Sequence, residues 1–300
     1  MKLSRRQLLT WPLAAAAEPL PVTTIIFGGD VILCRGVAEV VRARGGDWTW
    51  PMRGIGPLFS KADIAFVNLE SPFWTKKPIG DNGIIFRAVP DAIAALKFAG
   101  IDVVSTANNH ARDCYDEGVL YTAEWLAKNG LAMAGSGLTA EAAHAGAVLE
   151  RNGVKFGFLG YTFDQSNGNH ADINPRVAML DVYQMRRDVE SMKKRAQVII
   201  VSMHAGTEYV GKPIPAQVDF AHAAIDAGAR LVVGHHPHVV QPIESYKDGL
   251  IFYSLGNLVF DQMRKETREG LVVEVRFRGT KLEGHTPMPV DIVETVPRIR

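Results

Sequence analysis

Several residues of the types that act as metal ligands, acids or bases each follow a short apolar run of this 300-residue chain. They are Asp30, Glu70, Asn109, His110, His204, His236 and His238. Carboxylate and amide oxygens, together with imidazole nitrogens, are ligands that suit zinc, manganese and iron. Two ions that share a carboxylate could hold the attacking and the leaving oxygens of a phosphoryl transfer. The residue types therefore predict a divalent metal site.

The elements that must position these residues alternate along the chain. Predicted strands span residues 22–28, 64–68, 101–105, 154–162, 198–203, 231–234 and 251–255, and predicted helices span residues 91–98, 119–128 and 215–227. Alternating strands and helices indicate an α/β architecture, and residues 271–290 have the pattern of antiparallel strands. Ligand sites of open α/β sheets lie at the carboxyl ends of the strands. We therefore expect the polar clusters to meet at one edge.

Each of these residues also has an ordinary structural explanation. An Asp that follows a strand often caps a turn or a helix, and a lone His is more often a core or surface residue than a ligand. However, the clusters repeat the same placement at strand ends. This repetition favours a shared chemical role.

The composition narrows the class of protein. A 47% hydrophobic chain of this length is a globular protein with about two domains or one large domain. A formal net charge of +1 argues against a protein that holds nucleic acid by neutralising phosphates. The sequence contains no dinucleotide-binding glycine motif, no P-loop and no Gly-x-Ser-x-Gly motif.

The first 17 residues predict an export signal. Lys2, Arg5 and Arg6 precede a short apolar run that ends in small alanines, and the arginine pair is similar to a twin-arginine signal. We expect cleavage after residue 17, a single domain over residues 18–300, and a periplasmic or cell-envelope location. Without the three basic residues the net charge falls from +1 to −2. The alternative is a cytosolic protein with a basic N-terminus. The rest of the chain has no apolar run near the ~20 residues of a membrane-spanning helix.

The two cysteines, Cys34 and Cys114, do not form a disulfide framework. Two small buried side chains explain them best, and a single bridge, which export would permit, is the alternative.

The ordered set of motifs resembles the bacterial capsule-synthesis CapA family, which is associated with poly-γ-glutamate production. The matching segments are GD at 29–30 with Arg35, VNLE at 67–70, ANNH at 107–110 with Asp113 and Gly118, GFLGYT at 157–162, MHAGTEY at 203–209, GHHPHVVQP at 234–242 and YSLGNLVFD at 253–261. The resemblance covers residues 22–262. It implies a metallophosphatase-like (calcineurin-like) fold, which is a four-layer αββα sandwich.

The resemblance also implies roles for individual residues. The implied metal ligands are Asp30, Glu70, Asn109, His204, His236 and His238, with His235 as an alternative to His236. His110 would be the catalytic acid, and Asp30 and Glu208 are further candidates for catalysis. The candidates for substrate binding are Arg35, Arg87 and Tyr209, since a guanidinium can bind a carboxylate or a phosphate through two hydrogen bonds. A surface salt bridge is the ordinary explanation for either arginine.

One position departs from the pattern of metallophosphatases. Their first strand usually ends in Asp-x-His, but Ile32 stands where the histidine would be. One metal position therefore keeps a complete ligand set, whereas the other keeps only two carboxylates and His238. The chain could hold one ion, two ions or none, and without metal its carboxylates and imidazoles could act directly as acids and bases.

Three functions follow from these features. The first is a metal-dependent hydrolase of a phosphoester or an amide-linked polymer such as poly-γ-glutamate. The second is a non-catalytic accessory protein that binds the polymer or a membrane synthase and aids export. The third is a metal-independent hydrolase or epimerase on the same fold. The expected partners are an anionic polymer or small-molecule substrate and membrane synthase subunits, without nucleic acid.

Overall fold

A computed structural model of the chain describes residues 20–76, 84–164 and 172–300. The predicted export signal, residues 1–17, lies outside these residues. Within the described part of the chain, no helix combines the length and the apolar character needed to cross a membrane.

Two β-sheets form the centre of the molecule. The first sheet has the strand order β14 (Val296–Ile299), β13 (Lys281–Val293), β12 (Glu269–Arg278), β1 (Val22–Val31), β2 (Ile64–Leu69), β3 (Val103–Ser105) and β4 (Ala132–Ala134), and β11 (Asn257–Val259) pairs with the end of β1. The second sheet has the order β5 (Ala147–Arg151), β6 (Val154–Thr162), β7 (Val198–His204), β8 (Leu231–His235), β10 (Gly249–Phe252) and β9 (Ile243–Tyr246). In both sheets the central strands run parallel, so their carboxyl ends share an edge.

Helices connect the strands and cover the outer faces of the sheets. They are α1 (Arg35–Ala43), α2 (Gly56–Phe59), α3 (Ile93–Phe98), α4 (Tyr115–Lys128), α5 (Ala140–Ala145), α6 (Val182–Met192) and α7 (Pro215–Ala227), with short 3₁₀ turns at Trp50–Met52, Pro90–Ala92 and Glu266–Arg268. Residues of α1 and α3 pack in one outer core, and residues of α6 and α7 pack in the other.

The core between the sheets is built from inward-facing aromatic and branched side chains. The ring of Phe66 on β2 stacks on Phe158 of β6, with centroids 5.9 Å apart, and it also contacts Phe27 of β1. Because strand side chains alternate, each sheet presents one apolar face to the other sheet and one to its helices. The predicted four-layer αββα sandwich is therefore confirmed.

The predicted elements are found with small changes at their ends. Strand β1 continues beyond the predicted residue 28 to Val31, because β11 pairs in parallel with Asp30 and Val31. The helix predicted over residues 91–98 begins as a 3₁₀ turn and continues as α3. Helices α1, α2, α5 and α6 are not among the elements predicted from the sequence.

Cys34 and Cys114 are free, buried thiols. They occupy the N-cap positions of α1 and α4. Burial raises the pKa of the Cys34 thiol far above its usual range and raises that of Cys114 to about 12. Both therefore behave as small apolar side chains, as the first of the two explanations expected.

Candidate metal and catalytic site

The carboxyl ends of strands from both sheets meet at one edge of the sandwich. Asp30 lies near the end of β1, Glu70 directly follows β2, and His204 ends β7. All three side chains are 0% exposed. The loops after β3 and β8 add the remaining polar residues. The polar clusters therefore meet at one edge, as predicted.

Asp30 is held by donors from three directions. The side-chain amide Nδ2 of Asn68 donates to Asp30 Oδ1 over 2.8 Å, and the backbone N–H of His236 donates to Oδ2 over 3.2 Å. Nδ1 of His238 lies 3.3 Å from Oδ2. Burial alone would raise the pKa of this carboxyl, but the imidazoles of His235 and His238 outweigh burial and hold it well below its usual range. Asp30 is therefore a carboxylate.

Glu70 is in the opposite situation. Neither of its buried carboxyl oxygens has a hydrogen-bond partner among the described residues, although His204 Nε2 lies 3.2 Å from Oε1. Burial, followed by the negative charge of Asp30, raises the pKa of Glu70 well above its usual range. A buried carboxyl group without donors is costly unless it is protonated or bound to a cation.

Asn68 fixes the orientation of His204. Its Nδ2 lies 3.3 Å from His204 Nδ1 and so donates to that nitrogen while also bonding Asp30. Nε2 of His204 lies 2.8 Å from Oδ1 of Asn109. Burial, with the neighbouring His236, lowers the pKa of His204 well below its usual range, so the ring is neutral. Because Nδ1 accepts from Asn68, the one ring proton lies on Nε2 and is donated to Asn109. Asn68 has no role among the predictions from the sequence, although its place two residues before Glu70 is an available signal.

Two groups of side chains have the spacing of metal-ligand sets. In Glu70, His204 and His236 the potential ligand atoms all lie within 4.8 Å of one another, and the same is true of Asp30, Glu70 and His238. Glu70 belongs to both groups and could bridge two cations. Among the described residues, the carboxyl oxygens of Glu70 and Nδ1 of His236 have no hydrogen-bond partner. A divalent cation could bind these atoms, so the residues present fit a metal ion.

The structure distinguishes the two neighbouring histidines. His235 is the last residue of β8, and its ring lies in the interior, 6.1 Å from Phe66 and beneath Asp30. His236 has a φ of 96°, which turns its ring toward His204, with centroids 4.9 Å apart. A positive φ at a non-glycine residue is strained and is typical of functional sites. His236, not His235, therefore joins the first group.

His238 also has a positive φ, of 57°. Its Nδ1 lies 2.9 Å from Oδ1 of Asn257, an acceptor that orients the ring. Burial disfavours a charged ring here, but Glu70 and Asp30 outweigh burial and raise the pKa of His238 to about 9. Ile32 is fully buried in the apolar core beside α1 and supplies no ligand. The second group thus has one imidazole.

His110 is held on two sides at the edge of this centre. Its Nδ1 donates to Oδ2 of Asp113 over 2.7 Å, and its ring stacks on Phe86 with centroids 3.7 Å apart. Asp113 also accepts a hydrogen bond from the backbone N–H of Phe86. Because Nδ1 is bonded to a carboxylate, Nε2 is the nitrogen that can exchange a proton. Phe86 is not among the site residues predicted from the sequence.

Glu208 and Tyr209 lie on the loop after His204. Glu208 is exposed, yet its charge contributes to the pKa values of Glu70, His236 and His238. The ring of Tyr209 lies 6.3 Å from that of His238. This loop is therefore a wall of the centre and does not contribute to either ligand group.

The two predicted substrate-binding arginines lie near Phe86, the residue whose ring stacks on His110. Nε of Arg35 pairs with Asp261 over 3.2 Å, and its guanidinium lies 5.1 Å from the ring centroid of Phe86. Arg87 donates to the backbone carbonyl of Trp74 over 3.3 Å. Both line a pocket beside α1.

Known proteins are similar to this chain in sequence and in fold. Residues 24–262 match the family model described as bacterial capsule synthesis protein PGA_cap. The PGA biosynthesis protein CapA of Bacillus subtilis (strain 168) is 33% identical, over 92% of this chain and 73% of its own length. A probable polyglutamine synthesis accessory protein of Mycobacterium tuberculosis is 29% identical, over 80% of this chain and 75% of its own length. A crystal structure described as a novel phosphatase from Mycoplasma pneumoniae superposes with a TM-score of 0.58 at 15% identity, over 91% of this chain and 94% of its own.

Proposed function

Because the chain belongs to the bacterial capsule synthesis protein PGA_cap family, we propose that it is a metal-dependent hydrolase of capsule or poly-γ-glutamate metabolism. It would cleave a phosphoester or an amide bond of an anionic polymer. Export through the predicted signal would place it in the periplasm or cell envelope, beside membrane synthase subunits.

The observation that carries this proposal is the state of Glu70. Among the described residues, neither carboxyl oxygen of Glu70 meets a hydrogen-bond donor, and the group is 0% exposed and close to His204, as a cation-binding position would be. Asn109 adds a further oxygen beside the same imidazole. Carboxylate, amide and imidazole ligands suit manganese, zinc or iron.

The residues divide the chemical work between them. Glu70, Asn109, His204 and His236 would hold one cation, and Asp30, Glu70 and His238 would hold a second. When bound, the cation would supply Lewis acidity at the scissile bond. His110 would give a proton to the leaving group, because Asp113 fixes its Nδ1 and leaves Nε2 for proton transfer. Glu208 and Tyr209 would contact the substrate from the loop after β7.

The experiment combines metal analysis with hydrolysis. The purified full chain would be loaded with Mn²⁺, Zn²⁺ or Fe²⁺, its bound metal measured by elemental analysis, and its activity assayed on nitrophenyl phosphates and on poly-γ-glutamate. We expect His204→Ala and His236→Ala to lose both metal and activity. His222→Ala is the matched control, since His222 pairs with Glu244 outside the site. Metal-free wild-type protein, or activity unchanged in the two site variants, would refute the proposal.

A second function has its own supporting observation. Ile32 in place of an imidazole weakens the second ligand group, and one relative carries the description of an accessory protein. The chain would then bind polymer or synthase without catalysis. His110→Gln separates the two functions. A hydrolase loses activity with its bound metal retained, whereas an accessory protein keeps its support of polymer production in cells.

A further inference from the structure

A pocket of about 390 Å³ lies beside α1, apart from both ligand groups. Its apolar lining includes Leu33, Val41 and Trp48, and its polar lining includes Arg35, Arg42 and Arg87. An apolar surface surrounded by guanidinium groups suits a ligand that has both an aliphatic part and a negative charge.

The charges of the pocket are unbalanced. Its three arginines face one carboxylate of the lining, that of Glu39. Arg35 is paired with Asp261. Among the residues that the structure describes, neither Arg42 nor Arg87 has a carboxylate within ion-pair distance, and Arg87 bonds only a backbone carbonyl. Within the described part of the chain, these two guanidinium groups thus have no carboxylate partner and could bind an anion.

The pocket adjoins the catalytic histidine through one aromatic ring. The guanidinium of Arg35 lies 5.1 Å from the centroid of Phe86, and Phe86 stacks on His110 at 3.7 Å. A flexible chain that is cleaved at His110 could thus extend past Phe86 into the pocket.

We propose that this pocket, the α1 subsite, binds a carboxylate on a short aliphatic chain, as in a γ-linked glutamyl unit. The methylene groups would lie against the apolar surface, and the carboxylate would bind Arg42 and Arg87 through charge-assisted hydrogen bonds. The subsite selects a neighbouring unit of the polymer and does not touch the bond that is cleaved. The polymer's identity rests on the proposed function, whereas binding at the subsite does not require metal.

The test is calorimetric binding of a five-unit γ-linked glutamate oligomer to the full chain in EDTA. We expect Arg42→Ala and Arg87→Ala each to weaken binding about tenfold, the usual effect of losing a hydrogen bond to a charged group. Val89→Glu, which adds a negative charge to the lining, should weaken it at least as much. Arg44→Ala is the control, since Arg44 pairs with Glu294 over 2.7 Å and stacks on Trp50 outside the pocket.

The outcomes separate the subsite from the proposed hydrolysis. Equal affinity in the wild type and the three pocket variants overturns the subsite, even if the protein hydrolyses the polymer. Inorganic phosphate competing as well as the oligomer overturns the selection for an aliphatic carboxylate. Loss of oligomer binding in the pocket variants supports the subsite, even if His204→Ala shows that metal has no part in activity.

Discussion

The ring of Phe86 lies almost parallel to the imidazole of His110, with 16° between the planes and 3.7 Å between the centroids. The same residue donates its backbone N–H to Asp113, the carboxylate that accepts the Nδ1 proton of His110. Phe86 therefore controls both the position of His110, the proposed proton donor, and that of Asp113.

Replacing Phe86 tests this positioning role. Phe86→Leu keeps the backbone hydrogen bond and the burial but removes the stacked ring, which is worth about 0.5–1.5 kcal/mol. We expect kcat to fall by about three- to tenfold with KM and bound metal unchanged. Phe86→Tyr, which restores a ring, should recover most of the activity. An equal loss in both variants would show that only the exact volume of the side chain matters.

Removing Asn68 should weaken metal binding. Its amide bonds both Asp30 and His204, and loss of such a supporting contact usually costs 10- to 100-fold in metal affinity. We expect this loss in Asn68→Ala, measured by competition with a chelating dye. Asn129→Ala, on the surface at the end of α4, is the control. Unchanged affinity in Asn68→Ala would mean that the ligands are held by other contacts.

Metal affinity should rise with pH. In the metal-free protein, burial raises the pKa of Glu70 above its usual 4.5, so the cation must displace a proton. When metal is added to the protein at a fixed pH between 5 and about 8, metal binding should release protons. Glu70→Gln should release fewer and bind metal weakly. Affinity independent of pH would contradict a protonated Glu70.

The raised pKa of Glu70 also predicts that the metal-free protein loses stability as pH rises, although its metal affinity increases over the same range. A carboxyl group whose pKa is raised on folding destabilises the protein progressively as pH rises above its unfolded value of about 4.5. Glu70→Gln removes this penalty, so the metal-free variant should melt several degrees higher than the wild type at pH 8. The two proteins should converge at pH 4. A lower melting temperature for the variant at pH 8 would contradict this account.

Restoring the missing imidazole should change the metal content. Ile32 occupies the position two residues after Asp30 where metallophosphatases usually have a ligand. We expect Ile32→His to raise the occupancy of the second ligand group, and with it the metal bound per chain, with some loss of stability because an apolar core position becomes polar. Elemental analysis beside an Ile32→Leu control measures this. An unchanged ratio would mean that the side chain at position 32 does not reach the second ligand group.

Much of the architecture could be predicted because apolar runs and strand order leave few choices. Residues 154–162 and 215–227 were predicted with the bounds that the structure shows. Helix α1 is not predicted from the sequence, because a helix of only nine residues is marginal by itself and the burial of Val37 and Val41 supplies its stability. The extension of β1 past residue 28 depends on pairing with β2 and with β11, and β11 comes more than 200 residues later in the chain.

At the site, the sequence alone determined which residue types lie near the strand ends, because parallel strands must bring their carboxyl ends to one edge. It left His235 as an alternative to His236, and it assigned no role to Asn68 or Phe86. Only the folded chain decided these points. The backbone turn at His236 directs one of two adjacent rings into the centre, and contacts between distant segments place Asn68 between Asp30 and His204. The tertiary structure also decides that the buried carboxyl oxygens of Glu70 have no hydrogen-bond partner among the described residues. Whether a buried oxygen meets a donor depends on spatial neighbours that chain order does not specify.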